Sequence, residues 1–437
     1  MQAPQNPMAC LPHLLKHHVN KLAQKGTKQA NDVPSSEAPA PKGAPGDEDF
    51  SEDESKKPEE VREKPITSIR TRKIGNEIIT FEGNFTVTSY VQTDSDVLCV
   101  KYVPIHDFVA AGLSNGKIGI YNLAAGKYER TLRESDENKY VIPVTCIKTR
   151  RKNLSDKATL TATYVDGTVR CWEYVKAVCL FTMKENRQIF GLAYHHRLPK
   201  FITVGDDSRV ILYDEDRGVQ EHIYQSSHVL DRMDGHTTRV FGCYFHPSLS
   251  HEFITGGWDD TVQFWDVRQP NSTRYIYGVH ICGDGVCVSP SGKELLTCSW
   301  QAKTPLQIWD YGSGKLIQSL QPDRYSSRLY CGRFVTNDII VTAGSDLNLF
   351  RLVDVRNKTT LSTIQGFKSG VYSLDLSTAG VRRGKIMKLM DLAQSSNTAY
   401  SETTVSSYRS YKEPGMIPKM TFCSGNRVYG CEFKRPM

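Results

Sequence analysis

The chain has 437 residues, 24% of them charged and 39% hydrophobic, with a formal net charge of +7 at pH 7. These values are typical of water-soluble globular proteins, and no apolar run approaches the ~20 residues that a membrane-spanning helix needs. The N-terminus also lacks the charged and then apolar layout of a secretory signal. We therefore expect a protein of the cytoplasm or nucleus that does not bind membranes.

The twelve cysteines are scattered through apolar, strand-like stretches, and no two of them form a C-x-x-C pair. This spacing favours buried free thiols over a disulfide framework or a zinc site. The sequence therefore indicates no metal and no other cofactor.

Residues 1–65 are rich in Pro, Ala, Ser, Lys and Glu and poor in large apolar side chains. Such a segment cannot bury enough apolar surface to offset the entropy of ordering it, so we predict a disordered tail. Within this tail, apolar residues recur at three-to-four spacing between Cys10 and Lys25. They predict a short amphipathic helix on a partner or a membrane surface, or a transient helix without a specific role.

An acidic stretch of the tail, GDEDFSEDESKKPEE, contains Ser51 and Ser55. Glu54 lies three residues after Ser51, at the spacing that acid-directed kinases prefer, so we predict phosphorylation in this stretch. The alternative interpretation is a solvated acidic spacer.

From about residue 66 the pattern changes to that of β-strands. The run EIITFEGNFTVTSYV, residues 77–91, is rich in Ile, Thr, Phe, Val and Tyr. It predicts one strand, or a hairpin around Glu82-Gly83-Asn84.

After this run, an apolar alternation centred on a small residue recurs seven times, at intervals of 42 to 51 residues. Each recurrence predicts the first strand of a repeat, and turns rich in Asp, Asn and Gly follow where a hairpin would join the second and third strands. The predicted repeats start near residues 97, 144, 189, 240, 283, 329 and 371.

The seventh repeat is interrupted by a basic, Ser/Thr/Tyr-rich insertion at about residues 380–418, which we predict to be flexible. Only two more strand-like runs follow the insertion, so this repeat lacks a fourth strand. We predict that the run at 77–91 supplies that strand and closes a ring of repeats, because closure removes two exposed sheet edges.

The fourth repeat, DGHTTRVFGCYFHPSLSHEFITGGWDDTVQFWDVR, has Gly-His near its start and Trp-Asp near its end. It resembles one blade of the WD-repeat β-propeller family, and the resemblance extends over about residues 77–433. The resemblance implies an all-β, seven-bladed β-propeller. It further implies that His236, Thr255, Asp259 and Trp265 form a hydrogen-bonded structural tetrad that fixes strand register. A catalytic His–Asp pair is the alternative interpretation of His236 and Asp259.

Only the fourth repeat keeps all four tetrad residues. In the third repeat, for example, Tyr213 stands in place of the tryptophan, although Thr203 and Asp207 are retained. We therefore expect the other blades to depend on packing alone and the fourth blade to be the most rigid.

The sequence contains no phosphate-binding glycine loop, nucleophile elbow or zinc-binding pattern. The family resemblance implies a non-catalytic scaffold that binds partner proteins, and we expect a monomeric propeller within a larger complex. We predict that binding uses the loops before the first strand and between the second and third strands of each blade. In a propeller these loops converge at the narrow end of the ring.

The segment Phe253–Arg268 also resembles a sixteen-residue box, ending in Trp-Asp-x-Arg, of propellers that are substrate receptors of cullin-4 ubiquitin ligases. In those receptors the arginine points toward the damaged-DNA-binding adaptor. The resemblance therefore makes Asp266 and Arg268 candidate adaptor-binding residues. The alternative is an ordinary repeat that happens to end in Trp-Asp-x-basic.

The alternative hypothesis is a different class of partner, namely nucleic acid or phosphoinositide lipids. Residues 1–65 carry 9 basic and 11 acidic side chains, which leaves about +9 on residues 66–437, and a basic surface attracts phosphates. The basic residues are not interleaved with aromatic ones as in single-strand binders, and VRRG at Val381 departs from the lipid-binding F-R-R-G motif at its first residue. We therefore favour proteins over nucleic acid, and nucleic acid over lipid.

Overall fold

The computed structural model describes residues 68–103, 108–133, 141–150, 158–227, 229, 232–377 and 417–434. Within these ranges the chain forms thirty strands and no helix. The predicted tail with its helix at 10–25, and the predicted insertion at 380–418 apart from its last two residues, lie outside the described residues.

The first three strands, β1 (Ile69–Ile74), β2 (Glu77–Gly83) and β3 (Phe85–Gln92), precede the repeats. Blade one contains β4 (Val97–Tyr102), β5 (Val109–Leu113), β6 (Ile118–Asn122) and β7 (Lys127–Leu132). Blade two contains β8 (Val144–Lys148), β9 (Thr159–Tyr164), β10 (Thr168–Glu173) and β11 (Val178–Lys184). Blade three contains β12 (Ile189–Tyr194), β13 (Lys200–Gly205), β14 (Val210–Asp214) and β15 (Val219–Tyr224).

Blade four contains β16 (Val240–Phe245), β17 (Glu252–Gly257), β18 (Thr261–Asp266) and β19 (Arg274–Tyr277). Blade five contains β20 (Val286–Val288), β21 (Glu294–Cys298), β22 (Leu306–Asp310) and β23 (Leu316–Ser319). Blade six contains β24 (Leu329–Phe334), β25 (Ile339–Gly344), β26 (Phe350–Asp354) and β27 (Thr359–Gln365). Blade seven contains β28 (Val371–Leu376), β29 (Met420–Ser424) and β30 (Arg427–Phe433), to which β3 is added.

Every blade is an antiparallel sheet whose strands run from the centre outwards in the order a, b, c and d. The a strands of consecutive blades pack against one another around a central channel, and β28 of blade seven packs against β4 of blade one. The predicted fold, a seven-bladed β-propeller closed by an N-terminal strand, is confirmed.

The closing strand is β3, which pairs with β30 from Phe85 opposite Phe433 to Gln92 opposite Arg427. The prediction of one strand or a hairpin over residues 77–91 was wrong for residues 77–83, which form the separate strand β2. β2 does not pair with β3; it pairs with β27 of blade six and with β1, which makes blade six a six-stranded sheet. The two halves of the predicted run therefore serve two different blades.

The chain crosses from blade six to blade seven at Gly83. This glycine has φ +80°, and a Cβ at this position would lie 2.5 Å from the carbonyl oxygen of Leu361. Ser362 secures the crossing because its hydroxyl donates to the carbonyl of Glu82 at 2.6 Å and accepts from the amide of Phe85 at 2.9 Å. Only glycine fits the left-handed backbone and the close approach at this point.

Most of the hydrophobic core lies between neighbouring blades, because each twisted sheet can bury its apolar faces only against the next one. Between blades six and seven, for example, the rings of Phe350 and Phe422 stack with centroids 4.3 Å apart. Between blades three and four, Trp265 packs against Tyr224 with ring centroids 5.9 Å apart. The repeats therefore share a continuous core that no single blade provides.

Candidate functional site

The alternation of strand direction gives the ring two faces. The connections from strand d to the next strand a, and the b–c turns, lie on one face, which we call the narrow face. The a–b and c–d turns lie on the opposite one, the wide face. The sequence-predicted residues divide between the two faces and the interior.

The structure brings the four tetrad residues together inside blade four. Trp265 Nε1 donates to Thr255 Oγ1 at 2.8 Å, Thr255 Oγ1 lies 2.7 Å from His236 Nε2, and His236 Nδ1 lies 2.9 Å from a carboxylate oxygen of Asp259. Because the indole can only donate, the threonine hydroxyl accepts from it and donates its own proton to the imidazole, whose Nδ1 proton points to the carboxylate.

The tetrad is shielded from solvent. Its threonine, histidine and indole side chains are buried, and burial alone would raise the pKa of Asp259, but hydrogen bonds from His236, Thr237 and Thr261 lower it below its ordinary value. All four polar groups therefore have partners, as a buried network requires. This geometry favours a role in holding strands β17 and β18 in register over a catalytic His–Asp pair.

Blade three contains a different network, which contradicts the expectation that it depends on packing alone. Arg187 stands before strand a and donates to Asp207 at 2.5 Å and to Thr203 Oγ1 at 3.0 Å. Glu185 accepts from Thr203 at 2.7 Å and from the Tyr213 hydroxyl at 3.0 Å. The pair of opposite charges thus links the same strands that the histidine links in blade four. The sequence signal was Glu-x-Arg at the Gly-His position.

Blade six has a further substitute for the histidine. The buried guanidinium of Arg351 donates to Thr342 Oγ1 at 3.2 Å and to Asp323 at 3.1 Å. In blade five, Trp309 donates to Thr297 at 2.9 Å as in blade four, but His280 turns away to Asp260 of the neighbouring blade, at 2.6 Å. Degenerate repeats therefore replace the tetrad with other polar contacts.

Two histidines on the wide face join neighbouring blades. His195 accepts the amide of Leu198 at Nδ1, 2.8 Å away, and its Nε2 donates to the carbonyl of Ser250 in the next blade, 2.7 Å away. His246 repeats this arrangement with Gly292 of blade five, 2.9 Å from its Nε2. Burial lowers the pKa of His195 below its ordinary value, which keeps the ring neutral. These contacts explain histidines that sequence reasoning left without a role.

Asp266 and Arg268 also lie on the wide face, at the c–d turn of blade four. Arg268 Nε and Nη2 donate to the two carboxylate oxygens of Asp266 at 2.9 and 2.5 Å, and the arginine side chain is 65% exposed. The hydrogen bonds from Arg268 hold the pKa of Asp266 below its ordinary value. The carboxylate thus orients an exposed guanidinium.

Aromatic side chains surround the mouth of the channel on the narrow face. The rings of Phe190 and Phe241 stack 4.8 Å apart, Phe241 lies 5.5 Å from Trp258, and Tyr330 lies 5.1 Å from Tyr372. We call this set, contributed by blades three to seven, the aromatic belt: Phe190, Phe241, Trp258, Trp300, Tyr330 and Tyr372. Four of its members are half-buried and two are buried, so the belt forms a partly exposed apolar surface.

The channel below the belt encloses about 110 Å³ and is lined by residues of all seven blades. Lys148 of blade two reaches across it to Asp284 of blade five, 2.6 Å away, and Arg333 of blade six contacts the same carboxylate. Burial alone would raise the pKa of Asp284, but the two cations lower it well below its ordinary value. Charges from three blades therefore meet inside the ring.

Among the described residues, no group of three or more His, Cys, Asp and Glu side chains is placed to hold a metal ion. The described cysteines are free thiols, and burial raises the pKa of Cys99, Cys146 and Cys243, which line the channel. The described part of the chain contains no helix with the length and apolar character to span a bilayer.

Comparison with known proteins identifies the fourth repeat. The family model described as "WD domain, G-beta repeat" matches residues 227–266, which contain the whole tetrad. Periodic tryptophan protein 2 of Arabidopsis thaliana is 24% identical over 52% of this chain and 23% of its own length. This match and the seven-bladed ring fit the WD-repeat β-propeller family.

Two further relatives of this WD-repeat propeller show how far the similarity extends. The target of rapamycin complex subunit wat1 of Schizosaccharomyces pombe is 28% identical over 36% of the chain and 47% of the relative. The ribosome biogenesis protein WDR12 homolog of Anopheles gambiae is 22% identical over 50% of the chain and 49% of the relative. The aligned part spans less than half of each of these relatives.

Ser51 and Ser55, the predicted phosphorylation sites of this WD-repeat protein, lie outside the described residues. The narrow-face loops were predicted as a class, but the aromatic belt was not. Its two tryptophans lie in the turn sequences WDDT and WQAKTP. The composition of these turns indicates a hairpin and gives no sign of a binding surface.

Proposed function

We propose that this protein is a non-catalytic scaffold that binds partner proteins across the aromatic belt of its narrow face. The observation that carries the proposal is the belt itself, a partly exposed apolar surface to which five blades contribute. Aromatic side chains are enriched at the centres of protein interfaces, where a few of them supply most of the binding energy. Membership of a family whose propellers are typically non-catalytic supports the same conclusion.

The names of the relatives are consistent with a place in a multiprotein assembly. One is called a subunit of the target of rapamycin complex and another a ribosome biogenesis protein. By analogy we propose that this chain also works as one component of a complex. A place in the cytoplasm or nucleus remains our prediction from the sequence.

A photo-crosslinking amino acid at Phe190 will test the narrow face in cells. We expect it to capture a defined set of proteins, and we expect the double variant Trp258→Ala/Trp300→Ala to lose them, because removing interface tryptophans costs about 2 kcal/mol or more each. The same crosslinker at Tyr277, 66% exposed on the outer rim of blade four, serves as the matched control. Equal capture from both positions would contradict the proposal.

A second candidate function is that of a substrate receptor for a cullin-4 ubiquitin ligase. The observation that favours it is the placement of Arg268 on the face opposite the aromatic belt. An adaptor on the wide face and a substrate on the narrow face would not compete for the same surface. Asp266 holds the guanidinium in one orientation, which reduces the entropy lost on binding.

We expect the recombinant damaged-DNA-binding adaptor to bind the wild-type chain, and Arg268→Ala to weaken this binding at least 10-fold, since buried interface arginines contribute about 2 kcal/mol or more. The matched control is Arg217→Ala, because Arg217 occupies the c–d turn of blade three and is also exposed. If the adaptor binds neither the wild type nor either variant in a titration, the receptor function is excluded. The scaffold proposal is not affected by that result.

A further inference from the structure

Two arginine–tryptophan pairs stand side by side on the narrow face. Arg239, just before strand a of blade four, places its guanidinium 5.3 Å from the ring centroid of Trp258. Arg328, just before strand a of blade six, lies 4.8 Å from the ring centroid of Trp300. His280 links the pairs, because its ring stacks on Trp258 at 5.7 Å and its carbonyl accepts the amide of Trp300 at 2.8 Å. We call these five residues the Arg–Trp surface.

The arginines of this surface are weakly compensated. Arg239 Nη1 is a buried donor to which no acceptor is bonded within the described residues. Arg328 Nη1 forms an ion pair with Asp346 at 3.7 Å, which is longer than a hydrogen bond, and the arginine side chain is 39% exposed. An unpaired buried donor of a charged group is costly in the free protein, so it favours an incoming acceptor.

The second tryptophan offers a further donor. Nε1 of Trp300 is buried and has no hydrogen-bond partner within the described part of the chain. Trp258 differs, because its Nε1 donates to the sulfur of Cys282 at 2.9 Å. The surface thus combines two guanidinium groups with one unused indole N–H.

The acidic residues nearest in sequence do not neutralise these donors. Asp259 and Asp260 follow Trp258 directly, but each is already engaged, Asp259 with His236 and Asp260 with His280. The carboxylates of this turn are therefore committed to internal contacts. Asp206 of blade three also interacts electrostatically with Arg239, but its carboxylate accepts the amide of Gln188 at 3.1 Å. Arg239 Nη1 and Trp300 Nε1 thus retain N–H groups that an acceptor from another molecule can satisfy.

We propose that the Arg–Trp surface binds an acidic segment of a partner protein, with its carboxylates accepting from Arg239 and Arg328. This inference rests on the proposed function and adds the chemical class of the partner. Charge-assisted hydrogen bonds from arginine to carboxylate are among the stronger polar contacts at interfaces. Apolar contact with the neighbouring belt residues supplies the remaining contact area.

The ring contacts favour a peptide over a single-stranded nucleic acid. A base-stacking surface needs open ring faces. Here Trp258 is contacted by Phe241 at 5.5 Å, by the stacked His280 and by Arg239, and the ring of Trp300 lies under Arg328. The surface therefore offers separate guanidinium and indole N–H donors and the edges of aromatic rings. Such donors suit carboxylates that are spaced along a peptide.

Fluorescence anisotropy with the full-length chain tests the proposal. The probes are a fluorescein-labelled peptide of alternating glutamate and serine, the same peptide with glutamine for every glutamate, and labelled oligothymidylate of equal length. We expect the acidic peptide to bind at least 10-fold more tightly than the neutral one at low salt, and more weakly as salt screens the charges. Arg239→Gln and Arg328→Gln are each expected to reduce this affinity about 10-fold.

Arg217→Gln on the wide face is the control and is expected to bind like the wild type, while Arg239→Lys should recover part of the affinity because it keeps the charge. Equal binding of the acidic and neutral peptides, or unchanged affinity in both arginine variants, overturns the inference. Tighter, arginine-dependent binding of oligothymidylate also overturns it, in favour of nucleic acid. The crosslinking experiment at Phe190 reports separately on the narrow-face proposal, so the two failures are distinguishable.

Discussion

Removal of residues 1–92 is expected to abolish cooperative folding, whereas removal of residues 1–60 leaves a folded protein. The longer deletion removes β3 and the β1–β2 hairpin, and with them buried side chains that include Ile79, Phe81, Phe85 and Val87. At about 1.5–3 kcal/mol for each buried apolar side chain, the loss is of the order of 10 kcal/mol. A whole domain has a net stability of only about 5–15 kcal/mol.

An intermediate deletion of residues 1–84 separates the two contributions. It removes the hairpin from blade six but retains β3, so it should remain folded with lowered stability. Circular dichroism during urea unfolding will compare the three truncated chains with the full chain. A single cooperative transition of wild-type midpoint in the chain that lacks residues 1–92 would show that β3 is not needed to close the ring.

Asp284→Asn is expected to lower the free energy of unfolding by about 3 kcal/mol at neutral pH. The substitution leaves the charges of Lys148 and Arg333 uncompensated inside the channel, and breaking a buried ion pair from one side costs about 3–5 kcal/mol. We expect the lower end of this range because the Asp284 side chain is 31% exposed, so water in the channel screens part of the interaction. Adding Lys148→Met should restore part of the loss.

The matched control is Asp338→Asn, which breaks the surface pair with Arg356, 2.6 Å away, and should cost less than about 1 kcal/mol. pH provides a second check. Because the pKa of Asp284 is lowered in the folded chain, its stabilisation is present above the ordinary carboxyl value of about 3.9 and is lost as pH falls through the folded-state pKa. The difference in free energy of unfolding between the wild type and Asp284→Asn should therefore become smaller as pH falls below about 3.9. A difference that stays constant would contradict this role of Asp284.

The sequence was sufficient to predict the ring of seven blades, because the alternation of each a strand and the Asp, Asn and Gly turns are local signals. It was also sufficient to place His236, Thr255, Asp259 and Trp265 in one network, since the family pattern fixes their spacing. The pairing of β2 could not be predicted, because this strand pairs with β27 almost 300 residues later. Local composition does not encode such pairings.

The Arg–Trp surface was beyond prediction for a related reason. Arg328 and Trp300 belong to different blades and meet only because consecutive b–c turns and d–a connections share one face. In blade three, Arg187 and Glu185 were overlooked because the expected histidine was absent, although a buried ion pair can link the same strands. The proposed binding surface is made of b–c turns and d–a connections from different blades, and these come together only in the closed ring.

The pairing of β3 with β30 has a consequence for synthesis. β3 leaves the ribosome early, but its partner is made roughly 340 residues later, which at roughly 5–20 residues per second is a delay of roughly 20–70 s. During that interval Phe85 and Val87 have no blade to cover them, and neither of the ring's terminal edges is sealed. The nascent chain is therefore expected to need chaperone protection until its last seven described strand residues have emerged.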